Sequence, residues 1–184
     1  SGIQLNFIVA RSSVSIDNPR RKKIAINCNI AMEDVIAAPD SDVIYEIPMN
    51  FEKDRLGERI LQKFNLRRRK KDMTDWQRML EKYKRAKKEV DIGIVGKYFA
   101  TGDFCLSDSY ISVIEAIKHA CVANNCRPNL HWINTEEVEE KGTRGLKKYD
   151  GIIVPQGWGS RGSEGKIKTI KYCRTQQIPY FGLC

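Results

Sequence analysis

The sequence predicts an α/β protein in which strands alternate with helices and pair in parallel. Three observations carry this expectation. Short apolar-rich runs recur at residues 90–95, 130–133, 152–154 and 178–181. Stretches with apolar residues at helical spacing separate them, as at Ile114, Ile117 and Cys121. The third run opens into a glycine-rich turn, PQGWGSRGSEG, ahead of another helical stretch.

Taken in order, residues 4–10 read as a short, largely buried strand and 12–19 as a polar turn. The basic run 20–23 feeds IAINCNI at 24–30. Its alternation puts Ile24, Ile26 and Cys28 on one face and predicts a second strand. Residues 32–37 read as a short helix, 39–42 as a turn, and 43–47 as a third strand stopped by Pro48. From residue 51 the period becomes helical, with Leu56, Ile60, Leu61 and Phe64 in one stripe. After a basic run at 67–71, Thr74 is the expected cap of a helix carrying Trp76, Met79, Leu80 and Tyr83. A new domain starts near Val90. Its first strand ends at Gly96, 100–106 reads as a loop, and Ser107 or Ser109 caps a helix to about residue 123. Thr135 is expected to cap a short acidic helix whose single apolar residue is Val138.

The chain has 184 residues and a formal charge of +9. Segment 51–90 holds fifteen Lys or Arg against seven Asp or Glu, so nearly all the excess charge lies there. Two short amphipathic helices cannot bury a core alone, and this segment reads as an inter-domain linker. No apolar run is long enough to span a membrane. With no export signal and six scattered cysteines, free thiols in a reducing cytosol are expected.

Several residues could carry chemistry. Cys184 follows the last apolar run, where a nucleophile would sit on a sharp turn with backbone N–H groups for an oxyanion. It reads equally as a small buried cysteine at a strand end. Gly157, Gly159, Gly162 and Gly165 make the loop after 152–154 a place for close substrate approach, where open α/β sheets bind ligands. That loop matches neither a Walker A nor a GxGxxG pattern. The run 67–71 reads as phosphate-touching or as solvated surface. His119 and His131 lack a second ligand at metal spacing, and no metal site is expected.

Taken together, these blocks resemble the cytidine triphosphate synthases, glutamine-dependent amidoligases of pyrimidine synthesis. GIQLNFIVARS is similar to that family's GIQPDFIVARS, KKIAINCNI to KIALFCNV, and VIAAPDSDVIYEIPMNFE to VISAPDVDSIYEVPLNFE. VDIGIVGKY, SYISVIEAIKHA, DGIIVPQGWGSRGSEGK and IPYFGLC follow in the family's order.

The resemblance implies three pieces. Residues 1–48 would be the end of an α/β synthetase domain, 49–88 a basic helical linker, and 89–184 the first half of a flavodoxin-like, class I glutaminase domain. In such enzymes ATP with Mg2+ phosphorylates UTP, and ammonia from L-glutamine displaces the phosphate. GTP activates, CTP inhibits, and the assembly is a cytoplasmic homotetramer. Residue by residue, Cys184 corresponds to the nucleophile, Gly157 to a glutamine-loop glycine, and Lys23 to a lysine contacting UTP or CTP. Pro39, Asp40 and Ser41 correspond to the segment lining the adenine of ATP.

Where the family has Pro-Gly-Gly-Phe-Gly, this chain has Pro155-Gln156-Gly157-Trp158-Gly159. The N–H at position 156 is the family's oxyanion donor, and a site needing positive φ there would strain a glutamine. The triad His and Glu, the second oxyanion donor, the ATP phosphate loop and the Mg2+ carboxylates are expected outside residues 1–184. The 184-residue chain is therefore expected to be an internal fragment, inactive by itself. Two other readings compete: a basic nucleic-acid-binding adaptor, and a catalytically dead amidoligase relative acting as an assembly subunit.

Overall fold

In the computed structural model, residues 2–68, 70–98, 100–101, 104–105 and 107–183 are described. The chain divides into two units, Ser1–Leu80 and Glu81–Cys184.

In the first unit, β1 (Ile8–Ser12) pairs in parallel with β2 (Val35–Pro39), from Ile8 opposite Val35 to Ser12 opposite Pro39. Helix α1 (Asn18–Cys28) crosses between them. It replaces the strand expected at 24–30. Asp17 caps it by accepting the Arg20 N–H at 2.9 Å, Pro19 sits in its first turn, and Asn29 closes it in the left-handed region at φ 51°. These start and stop signals outweigh a period-2 pattern that buries nothing, for Ile26 is 68% exposed and Ala25 is the buried residue of the helix. The helix expected at 32–37 is likewise a short 3-10 turn, Met32–Asp34, leading into β2, whose Val35, Ile36 and Ala37 are buried.

The strand expected at 43–47 is a 3-10 turn (Ile44–Glu46) running into helix α2 (Ile47–Lys53), with Pro48 in its first turn. A proline lacks the N–H that a helix start leaves unpaired anyway, so Pro48 begins a helix here rather than ending a strand. Helix α3 (Leu56–Lys63) forms as expected. Helix α4 (Thr74–Arg85) also forms, but its first N–H is held by the Asp72 carboxylate at 2.9 Å, not by a Thr74 cap.

Two carboxylates, the buried Asp34 and the half-buried Asp54, tie this unit together. Asp34 accepts Arg59 at 2.7 Å and Lys63 at 2.8 Å. Asp54 accepts the Ala37 N–H at 3.0 Å on one oxygen and faces Arg21 at 3.3 Å on the other. Trp76 donates to the Tyr45 carbonyl at 2.8 Å.

The second unit is built on a four-stranded parallel sheet. Its strands are β3 (Lys88–Gly96), β6 (Cys126–Asn134), β7 (Gly151–Val154) and β8 (Tyr180–Gly182), in the order β6-β3-β7-β8. The first strand of this unit, β3, is thus internal, the flavodoxin-like order. Between β3 and α5 (Ile111–Ala123), the stretch expected to be a loop holds a small antiparallel ladder, β4 (Ala100–Thr101) with β5 (Phe104–Cys105). A 3-10 turn, Ser107–Tyr110, leads into α5, which no side chain caps. Helix α6 (Thr135–Lys141) follows β6, and α7 (Ser163–Gln176) links β7 to β8.

Asn134, not Thr135, caps α6, accepting the Glu136 N–H at 3.1 Å. Thr135 is buried instead against α7: a Cβ on Gly165 would lie 2.0 Å from its carbonyl oxygen. The sheet separates two cores. Ile94, Tyr110, Val113, Ile117 and Cys121 pack on the α5 side, and Val95, Val138, Leu146, Ile152 and Cys173 on the α6 and α7 side. No described helix is long and apolar enough to cross a membrane.

Burial pushes the Asp34 carboxyl up, but the hydrogen bonds and charges of Lys63 and Arg59 outweigh it and leave the group below its ordinary value. The ionised form therefore contributes stability at and above the ordinary carboxylate pKa, and that contribution fades as the pH falls through the lower folded value. Asp34→Asn should cost about 3 kcal/mol near neutral pH, because it strands two cations beside a buried site. Urea unfolding across acid pH should show the variant losing less stability than the parent.

Candidate active site

Strands β3 and β7 lie side by side, and their connections leave toward opposite faces of the sheet, α5 on one side and α7 on the other. A crevice opens at the carboxyl ends of such a pair. Here β3 delivers Lys97 and Tyr98, and β7 delivers Pro155, Gln156 and Gly157.

Lys97 is 3% exposed. Its ammonium donates to the carbonyls of Gly159 at 2.8 Å and Arg161 at 3.0 Å. Arg161 returns a bond to the Lys97 carbonyl at 3.2 Å. The buried Tyr110 hydroxyl accepts the Lys97 N–H and donates to the Gln156 carbonyl, both at 3.3 Å. The Trp158 N–H donates to the Tyr98 hydroxyl, and the Tyr98 ring stacks on Tyr110 at 6.1 Å. From the first turns of α7, Lys166 donates to the Pro155 carbonyl at 2.7 Å. The carbonyls of Pro155, Gln156, Gly159 and Arg161 are therefore all held by groups beneath the loop. Burial, then the nearby charge of Lys97, lowers the proton affinity of Lys166, and burial pushes the Tyr110 phenol up.

Gly157 is closely covered by two lysine side chains, which a Cβ there would have to displace. A Cβ there would lie 2.7 Å from Lys97 Cε and 2.8 Å from Lys166 Nζ. Gly159 and Gly162 hold positive φ of 78° and 70°. Gln156 does not adopt a left-handed backbone, so its side chain is carried without strain.

Cys184 lies outside the described residues. Leu183, just before it, donates its N–H to the Val154 carbonyl at 2.9 Å, so β8 ends beside the mouth of the loop. Pro39, Asp40 and Ser41 come together in the first unit, lining a cavity of 460 Å³ with apolar walls from Val9, Ile44 and Phe51. Asp40 is paired with Arg11 at 3.1 Å and Ser41 with Glu46 at 2.8 Å. Lys23 is exposed on α1 and is not part of that lining. His131 pairs with Asp91 at 2.6 Å, on the sheet rather than in the crevice. Among the described residues no three His, Cys, Asp or Glu side chains converge as metal ligands.

Sequence reasoning passed over Lys97, Tyr110 and Lys166. The signal for Lys97 was its place directly after Gly96 at the end of a buried strand. Tyr110 and Lys166 lie in the blocks SYISVIEAIKHA and DGIIVPQGWGSRGSEGK, but no local pattern there assigns them a role.

The parallel sheet with a glycine loop at its reversal point, together with the match of residues 105–184 to the family model Glutamine amidotransferase class-I, defines the second unit as a class I glutamine amidotransferase domain. Residues 1–66 match a second model, CTP synthase N-terminus. The whole chain aligns with CTP synthases: 44% identity over 183 residues with that of Pyrococcus abyssi and 45% over 183 with that of Thermococcus gammatolerans, in each case 100% of this chain and 33% of the relative. The enzyme of Caldanaerobacter subterraneus is 41% identical over 184 residues, again 100% of this chain and 33% of the relative. The chain belongs to the CTP synthase family and spans about a third of the length of the curated relatives it matches. A solved structure titled "Trypanosoma brucei CTPS - glutaminase domain with bound acivicin" shares 36% identity, covering 50% of this chain and 35% of that one. Its TM-score of 0.44 is too low to bear on the fold.

Tyr110→Phe should cost about 1–2 kcal/mol, since it leaves the Lys97 N–H and the Gln156 carbonyl without their shared partner. Thermal unfolding checks this. A change below a few tenths of a kcal/mol would show that the two groups are satisfied some other way.

Proposed function

We propose that the protein carrying this chain makes CTP from UTP, ATP and ammonia released from L-glutamine. The observation that carries the glutaminase half is the loop itself. Four of its carbonyls are drawn inward, and β8 ends beside it, immediately before Cys184. With the Pro155 carbonyl held by Lys166, the Gln156 N–H on the same trans amide points the opposite way, where it can meet an anion.

In this reading the Cys184 thiolate attacks the carboxamide carbon of glutamine, and the carbonyl oxygen becomes an oxyanion held by the Gln156 N–H. The carbon–nitrogen bond then breaks, ammonia leaves with a proton, and water hydrolyses the thioester to glutamate. Gly157 lets the substrate and two lysine side chains share the same tight space.

The synthetase half is proposed on weaker contacts. Residues 1–48 are the end of that domain, 49–88 the linker and 89–184 the first part of the glutaminase. The apolar cavity beside Pro39, Asp40 and Ser41 suits a flat adenine. The exposed ammonium of Lys23 suits UTP or the inhibitor CTP. Mg2+ would accompany ATP, GTP would activate, and the assembly would be a cytoplasmic homotetramer. None of the chemistry above runs through the metal. A nucleic-acid adaptor is disfavoured, since within the basic run Arg68 is paired with Glu58 and Lys71 with Glu52. The unstrained Gln156 backbone removes the reason for reading a dead subunit.

In the full-length protein, Cys184→Ser should abolish CTP formation from glutamine and leave synthesis from added ammonia intact. Gly157→Ala meets only the ends of flexible lysines, so it should fold yet lower kcat/KM for glutamine by about tenfold or more, the effect of a small misplacement near the reacting centre. Glutamine-driven synthesis that survives Cys184→Ser would refute the proposal.

A further inference from the structure

We infer that Lys166 is a positioning residue for glutamine hydrolysis: through the Pro155 carbonyl it aims and polarises the N–H of Gln156, the oxyanion donor. This role rests on the function proposed above and extends it to Lys166, which closes the block DGIIVPQGWGSRGSEGK but has no role assigned from sequence.

The argument starts from the peptide unit. The Pro155 carbonyl and the Gln156 N–H belong to one planar trans amide, so they point in opposite directions. Whatever fixes the oxygen fixes the N–H. Lys166 Nζ lies 2.7 Å from that oxygen, a charge-assisted contact. An ammonium on the oxygen also draws electron density from the nitrogen and makes its N–H a stronger donor. Tyr110 does the same in neutral form for the next amide, donating to the Gln156 carbonyl at 3.3 Å. Two successive amides of the loop are thus set from beneath.

A lysine is a costly choice at this position. It is the fourth residue of α7, where the helix dipole disfavours a cation. It is half-buried, and the Lys97 ammonium is close enough to lower its proton affinity further. An apolar side chain of equal length would fill the space without either penalty. What only a cation supplies is the grip on the carbonyl.

Among the described residues, no carboxylate of the neighbouring elements pairs with Lys166. Of the α6 acids, Glu139 accepts the Gly165 N–H at 2.9 Å and Glu136 faces Arg161 at 3.6 Å. Glu164 sits on α7 itself, exposed. The other charged or titratable groups facing the loop are Lys97, Arg161, Tyr98 and Tyr110. Lys166 therefore polarises that amide most strongly while it is protonated, and the charge-assisted part of its hold is lost as the pH rises, before the ordinary lysine range is reached.

The test uses the full-length protein with UTP, ATP, Mg2+ and GTP, measuring glutamate release from L-glutamine against pH. CTP formation from added ammonium chloride bypasses the glutamine site and reports folding. Lys166→Met should lower kcat by about tenfold or more, a part of the 10²–10³ attached to a whole oxyanion donor, with KM little changed. Lys166→Arg should keep most of kcat and carry the alkaline fall in rate to higher pH. A Lys166→Met enzyme with parental kcat and parental alkaline limb overturns the role. If that variant also loses ammonia-driven synthesis it has not folded, and Lys166→Arg decides: an unmoved alkaline limb overturns the role, a shifted one supports it. If the parent makes CTP from ammonia and releases no glutamate from glutamine, the glutaminase reading falls and this role falls with it.

Discussion

Lys97 carries an ammonium out of water at the end of the central strand, and the loop above it is shaped by that charge. An unpaired buried ammonium would be destabilising by several kcal/mol. Here it is met by the carbonyls of Gly159 and Arg161, so the chain leaving β7 must curl back over the end of β3. The curl has positive φ at Gly159 and Gly162, and the lysine stem passes so close to Gly157 that a Cβ there would displace it. The buried charge thus bears on Gly157 and Gly159, while a Cβ at Gly162 would meet the Thr135 hydroxyl at 2.1 Å.

The same constraint shapes the chemistry. Carbonyls held by Lys97, Tyr110 and Lys166 set the amides of the loop, and the Gln156 N–H lies opposite the held Pro155 carbonyl. The N-terminal end of α7 adds its dipole in the same place. The loop is electrostatically suited to charge that develops on a carbonyl oxygen, and β8 brings the chain to it through the Leu183 bond to Val154. In the first unit the organising groups have the opposite sign. Asp34 and Asp54 hold β2, α1 and α3 together through cations and one backbone N–H, leaving the apolar cavity beside Pro39 open.

Much of the second unit could be read in the chain. The strands near 90–95, 130–133 and 152–154 were legible because strands covered on both faces are nearly continuous apolar runs. The helix with Ile114, Ile117 and Cys121 on one side was legible because its buried face keeps the helical period. The first unit was harder. Residues 24–28 alternate like a strand but form a helix, since Asp17 and Pro19 start it and Asn29 stops it. Residues 35–37 were read as helix because three small apolar residues have no period, and only pairing with β1 makes them a strand. Pro48 was read as a stop where it is a start.

The sequence by itself determined the family, the order of elements in the sheet domain and the place of the glycine loop, because ordered motif blocks and apolar periodicity are local properties. Only the tertiary structure decided which groups shape that loop. Lys97 and Lys166 are 69 positions apart in a chain with 32 basic residues, and although each lies in a recognisable block, nothing local shows that they serve the same loop. Their roles come from burial and from the carbonyls they reach, 62 and 64 positions away for Lys97 and 11 for Lys166. Such contacts exist only once β3, β7 and α7 have packed.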